Sequence, residues 1–223
     1  MARFLDLPFS VFKRILKRPR IRRVDAVRLM LAFAVAQSTE APLRPENQAN
    51  LIIDRHIFRL RQNKSHALAI RVPAGEVKNT ADLDFELSGE VLQLFDEYCK
   101  CAHPLLCDGR NSFLYPGPGL GPKAPGTLSP QIARFIEDEL GVRLTGQQFR
   151  HGIGYLYLKS HPGDYEVVRQ LLGHKDITTT MTFYASLDMR LASKKVSAFV
   201  AQKRKELAPL LSNRRKLGLP IDR

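Results

Sequence analysis

From residue 147 to residue 184 the chain reads QQFRHGIGYLYLKSHPGDYEVVRQLLGHKDITTTMTFY. Arg150 stands beside His151, and a helical run then closes on Leu171, Leu172, Gly173 and His174. Three threonines and Tyr184 follow. These residue types suit one task, which is holding a phosphodiester and attacking it covalently. Arginine offers a planar fork of donors to two phosphate oxygens. Histidine moves protons near neutral pH, and a tyrosine hydroxyl can form a covalent intermediate.

The elements that must position these groups are legible in order. Residues 1–23 hold apolar positions (Phe4, Leu5, Leu7, Phe9, Val11, Phe12) and then a basic run from Lys13 to Arg23, read as a linker along a polyanion or a solvated tail. Val24–Gln37 has a broad apolar face and predicts a helix, with Ser38 and Pro42 breaking it. Arg44 lies at that break, and Pro45 suits the head of the next helix. Residues 57–60, 68–72 and 83–87 predict three short strands, with Lys78 in the loop between the last two. Ser88 caps a helix through Cys101. A long connector follows, in which Phe113, Leu114 and Tyr115 pack inward. Ser129 and Pro130 predict a helix start and Gly141 its end. Thr145 caps the helix carrying Gln147 and Arg150; three positions apart, these two share a face and could reach one phosphate. His151 points elsewhere and reads as structural. Asp164 opens a helix ending at Gly173, which presents His174 from a tight turn. The last periodic segment is Leu187–Leu207, with Leu191, Val196 and Phe199 among many cations, and a basic tail closes the chain at 208–223.

Composition narrows the partners. The 223 residues carry 35 Lys+Arg against 22 Asp+Glu, a net charge of +13, which calls for a polyanion: nucleic acid first, an anionic membrane surface second. No apolar run approaches the roughly 18 residues of a membrane span, and no signal peptide is read. Three cysteines, an odd number, fit a reduced cytosolic compartment. Cys99, Cys101, His103 and Cys107 do not have the usual zinc spacing, so no metal is assigned. The stretch PGPGLGPK lacks the phosphate-loop pattern, and its prolines remove backbone donors.

The segment resembles the catalytic signature of the tyrosine recombinases, or phage-type integrases. In that family an H-x-x-R box precedes L-G-H, then T-T and the nucleophilic tyrosine. FRH, LLGH, TTT and FY occur here in that order, with His174 and Tyr184 ten residues apart. Gln147 departs from the pattern, standing where the family usually has histidine. PLRPENQANL is similar to the family's first arginine box, and VKN before a leucine-rich strand is similar to its lysine turn.

The resemblance implies a mainly α fold with a small three-stranded antiparallel sheet, spanning residues 24–207. It also implies a site of Arg44, Lys78, Gln147, Arg150, His174 and Tyr184. Arg44 and Arg150 would neutralise the non-bridging oxygens, worth about 3–4 kcal/mol per good donor. Lys78 would protonate the departing 5′ oxygen, and His174 would hold the phosphate and assist proton transfer. Tyr184 would form a 3′-phosphotyrosyl bond, which conserves the energy of the broken ester, so neither cofactor nor metal is implied. The implied partners are double-stranded DNA and further copies of the chain in a tetrameric synapse, in a bacterial or phage cytoplasm. The family's N-terminal core-binding domain has no counterpart in residues 1–23, so the expectation is a catalytic-domain-only or truncated protein. Two functions follow: a site-specific recombinase slowed by Gln147, or a DNA-binding protein of the same fold that no longer cleaves. A type IB topoisomerase shares the chemistry but fits the motif form and chain size less well.

Overall fold

A computed structural model describes residues 2–62, 65–77, 82–107 and 110–216. Ten helices and three strands follow one another among these residues. Helix α2 (Arg23–Glu40) is the axis of the main core. Its residues from Leu29 to Gln37 are all buried, because its sequence is apolar on every side, the signature of a helix surrounded by protein. Alanines at 26, 32, 34 and 36 let neighbouring elements approach closely, and Phe33 stacks on Tyr98 at 5.6 Å. Ser38 does not end this helix: its hydroxyl donates to Ala34 O at 2.7 Å, and the helix runs on to Glu40. Helix α5 (Gly89–Cys101), capped by Ser88, packs against α2 and the sheet.

The strands are β1 (Ile57–Gln62), β2 (Ser65–Val72) and β3 (Leu83–Leu87), in the antiparallel order β1-β2-β3. Register pairs Ile57 with Ile70 and Ile70 with Phe85. The expected three-stranded sheet is therefore present. Lys78 lies outside the described residues.

Two further expectations are corrected. Residues 2–16 are neither tail nor linker but helix α1 (Ala2–Leu16), with Leu7, Val11, Phe12 and Ile15 buried in the main core. Their spacing of four, one and three residues places them on one helical face. Phe4 meets Phe149 at 4.9 Å, and Arg14 reaches Glu139 at 2.6 Å. The cations occupy the opposite, exposed face and the turn after it. Phe12→Ala is therefore expected to cost about 3–5 kcal/mol of stability, read from urea unfolding; a solvated tail would show no loss.

The second correction concerns helix α7 (Pro125–Leu140), which starts five residues before Pro130. Pro125 takes the first helical position, where a missing N–H costs nothing, and Pro130 in the second turn forfeits one bond. Gly141 ends α7 with φ 74°, as expected.

Three shorter helices, α3 (Pro45–Ala49), α4 (Ile53–His56) and α6 (His103–Leu106), link these elements. Helices α8 (Gly146–Ser160), α9 (Tyr165–Leu171) and α10 (Ile177–Lys216) complete the chain. Leu158, Tyr165, Val168, Leu172 and Tyr184 form a second, smaller core among them. Helix α10 is one 40-residue helix, about 60 Å long at 1.5 Å per residue. Met189, Val196 and Phe199 on it are exposed; the Leu191 side chain lies outside the described part.

Candidate active site

Arg44 precedes α3 as its N-cap residue and is half-buried. Arg150 comes from the second turn of α8, whose start is fixed by a reciprocal cap. Thr145 Oγ1 accepts from Gln148 N (3.2 Å), and Gln148 Oε1 accepts from Thr145 N (3.0 Å). The Arg150 side chain turns inward and is buried. Its two terminal nitrogens donate to Pro42 O and Leu172 O. It thus ties the segment before Arg44 to the end of α9. Burial and the neighbouring Arg44 push the Arg150 guanidinium down to about 10, with Tyr184 opposing, so it remains a cation at neutral pH. Arg44 and Arg150 line one narrow cleft together with Gly173, Val77 and Leu83. Val77 is the last described residue before the loop of Lys78.

His174 is presented as expected. Gly173 adopts φ 55°, and His174 N donates to Arg169 O at 3.0 Å, closing α9 in the left-handed manner that favours glycine. Arg169 Nη1 returns a bond to His174 O at 2.9 Å. The ring is set by Thr180, fully buried, whose Oγ1 lies 2.9 Å from His174 Nδ1. Burial, then Arg150, His151, Arg44 and Arg169, hold the His174 pKa below its ordinary value, so the imidazole is neutral at pH 7. Arg169 and Thr180 were not singled out from sequence. The only signal for Thr180 was the threonine triplet, in which this one faces inward while Thr178 and Thr179 are exposed.

Tyr184 sits two turns into α10 and is 2% exposed. Its hydroxyl donates to His151 O at 3.0 Å. Burial pushes the phenol up to about 12, against the opposing effect of Arg150. The ring fits over α8 only because residue 154 is glycine: a Cβ there would meet Tyr184 Oη at 2.3 Å and Val168 Cγ1 at 2.9 Å. Gly154→Ala is therefore expected to drive the phenol off α8. Its titration should fall from about 12 toward the ordinary 10, at a stability cost of about 1–3 kcal/mol. A phenolate titration of the variant checks this, with Tyr184→Phe as the subtraction control; an unmoved titration refutes it.

Gln147 and Arg150 do not reach the same place. The long Arg150 side chain turns into the core, while Gln147 is exposed and bonds His151, Nε2 to Nε2, at 3.4 Å. Gln147, His151, Phe183 and Tyr184 instead line a separate open pocket of about 520 Å³. His151 is thus part of the site surroundings, stacked on Phe183 at 3.9 Å and 6.2 Å from the His174 ring. Burial and Arg150 lower its pKa. In all, the structure gathers Arg44, Arg150, His174 and Tyr184, and sets Gln147 beside Tyr184.

The chain has the fold of a tyrosine recombinase catalytic domain. It is similar to the XerH site-specific recombinase bound to palindromic difH substrate in a post-cleavage complex, with TM-score 0.58 and 18% identity, over 84% of this chain and 50% of that one. It is also similar to XerA recombinase, with TM-score 0.52 and 20% identity, over 70% of this chain and 56% of that one. The chain spans about half the length of these recombinases. No family model and no curated protein matches it.

Proposed function

We propose that the protein is a site-specific DNA recombinase or integrase of the tyrosine type, cutting and rejoining duplex DNA through a 3′-phosphotyrosyl bond. One observation carries this reading. Arg150 bonds the carbonyl two residues before Arg44 and the carbonyl two residues before His174, while Tyr184 rests on the next turn of the same helix. A phosphate entering the cleft meets the positive charges of Arg44 and Arg150, of which Arg150 is already held in place before reaction. His174, with Nδ1 committed to Thr180, offers its other ring nitrogen to the phosphate. Tyr184 Oη attacks phosphorus, its proton leaves to solvent or a neighbouring base, and the 5′ oxygen departs with a proton from Lys78. Rejoining reverses these steps and regenerates the free phenol.

The net charge of +13 and the exposed cations of α1 and the following turn suit several phosphate contacts. The exposed Met189, Val196 and Phe199 suit docking of α10 on a neighbouring copy, as a tetrameric synapse requires. The compartment that fits is one holding DNA and reduced thiols, and among the described residues no helix is long and apolar enough to cross a membrane.

A second reading keeps the fold and the DNA binding without cleavage. It is favoured by the burial of Tyr184, whose hydroxyl is bonded to His151 O. Incubation with a nicked suicide duplex separates the two: a denaturation-resistant protein–DNA adduct supports the recombinase, and binding without adduct supports the second reading.

A further inference from the structure

Beneath Arg44 lies a buried polar hub that neither the catalytic scheme nor the hydrophobic core requires. Gln37 is fully buried at the end of α2 and Gln48 is buried on α3, the helix that Arg44 caps. Gln48 Nε2 donates to Gln37 Oε1 at 2.8 Å, and lies 3.0 Å from Ser38 Oγ and 3.2 Å from Ala34 O. Tyr115, from the connector between α6 and α7, donates its hydroxyl to Gln37 Oε1 at 3.2 Å. Burial holds that phenol far above its ordinary pKa, so it stays a donor. With Oε1 accepting twice, the Gln37 amide must point Nε2 the other way, and Nε2 donates to Ala41 O.

Ala41 is therefore gripped at both ends. Its N–H donates to Gln37 O at 2.7 Å, and its carbonyl takes the Gln37 side chain as well as Leu43 N at 2.8 Å. The next carbonyl, Pro42 O, is held by Arg150. Arg44 O, in turn, accepts Gln48 N at 2.9 Å. The two peptide links flanking Pro42, just before Arg44, are thus held from the hub and from the second arginine. Burying two amides and a phenol in an otherwise apolar core is costly unless each is satisfied, and an all-apolar trio would pack as well. The hub's distinctive product is the path of residues 41–44.

We propose that Gln37 and Gln48 are positioning residues for Arg44, presetting its segment so that Arg44 and Arg150 meet one phosphate without rearrangement. The inference rests on the reading of Arg44 as a phosphate ligand. A displacement near 1 Å at such a group can cost on the order of 10²-fold in rate.

The test uses the full chain and a nicked suicide duplex. Gln37→Met keeps the volume and removes the donor and the acceptor. Its adduct rate at saturating DNA is expected to fall about tenfold or more. Its DNA affinity should stay within about twofold, because phosphates elsewhere carry binding. Gln37→Glu separates positioning from packing. A protonated carboxyl can donate to Ala41 O while its other oxygen accepts from Gln48 and Tyr115; the carboxylate cannot donate. The ratio of its rate to the native rate is expected to rise as pH falls, while the Gln37→Met ratio stays flat. A Gln37→Met rate equal to native, or a Gln37→Glu ratio independent of pH, overturns the proposal.

If neither variant folds, Tyr115→Phe removes only the hydroxyl on Gln37, and a several-fold loss of adduct rate with the native fold is expected; no loss overturns it. Hydrogen exchange at Leu43 N–H reports the segment without catalysis. It should accelerate at least about tenfold in Gln37→Met relative to amides in the middle of α2, and unchanged exchange overturns the proposal. Absence of an adduct from the native protein would refute the recombinase reading alone, leaving the exchange measurement to decide the hub.

Discussion

Tyr184→Phe is expected to abolish covalent capture of a nicked duplex while leaving DNA affinity within about twofold, because one hydroxyl adds little to a phosphate-dominated interface. The substitution is mild for the fold. The ring keeps its contacts with Leu158, Tyr165, Val168 and Leu172, and only the 3.0 Å bond to His151 O is lost, a loss of about 1 kcal/mol. Loss of the adduct can therefore be assigned to chemistry rather than unfolding, which a thermal melt beside the capture assay verifies. The other phenols are poorer candidates. Tyr98 and Tyr115 are fully buried in the main core, Tyr165 is buried in the smaller one, and Tyr157 donates to Asp164 at 2.7 Å. Tyr155 is partly exposed and lines the pocket that Tyr184 also borders. Adducts that persist in Tyr184→Phe would overturn the assignment and make Tyr155 the next residue to replace. In the observed position Tyr184 is covered and bonded to a carbonyl, so the proposed attack requires its hydroxyl to leave His151 O first.

Local signals decided most of what could be read from the sequence. Ser88 and Thr145 satisfy exposed amides at helix starts, and Gly141 and Gly173 adopt the left-handed turns that end helices, so those boundaries fall as expected. The strands were visible because β-branched and alternating residues suit a half-buried ladder. In residues 2–16 the cations mask the apolar spacing of Leu7, Val11, Phe12 and Ile15, whose partners lie on distant elements. The extent of α10 is hard to read from sequence because its charged surface gives only a weak period, although no strong breaker interrupts residues 177–207. The direction of Arg150 was beyond sequence reasoning. Spacing placed it beside Gln147, but a long side chain follows its acceptors, and Pro42 O and Leu172 O come from segments 108 and 22 residues away. Thr180 and Arg169 act on His174 by the same kind of contact, visible only once the turn is built.

Gln147 carries the second large expected effect, on the pH dependence of cleavage. Glutamine at this position can donate and accept a hydrogen bond but cannot titrate. The two nearby histidines are poor substitutes, since burial and Arg150 lower the pKa of both His151 and His174 and leave them weak bases. Tyr184 itself is pushed up to about 12, so at pH 7 only a minute fraction is phenolate. Proton removal then falls to solvent, and the native adduct rate should climb about tenfold per pH unit from 7 to 9, as it does for any group titrating well above that range. Gln147→His places an exposed imidazole with an ordinary pKa of about 6.5 in the pocket that Tyr184 borders. A base in that position is typically worth about 10²-fold or more, so the variant should be faster near pH 7 and its profile should flatten above about 6.5. Because Gln147 does not share the Arg150 cleft, the same variant should leave Arg150 and its two carbonyl bonds undisturbed, and duplex affinity should hold at pH 8, where the new imidazole is neutral. Single-turnover adduct formation across that pH range decides the matter. Coincident profiles would mean that residue 147 takes no part in proton removal, which then lies elsewhere.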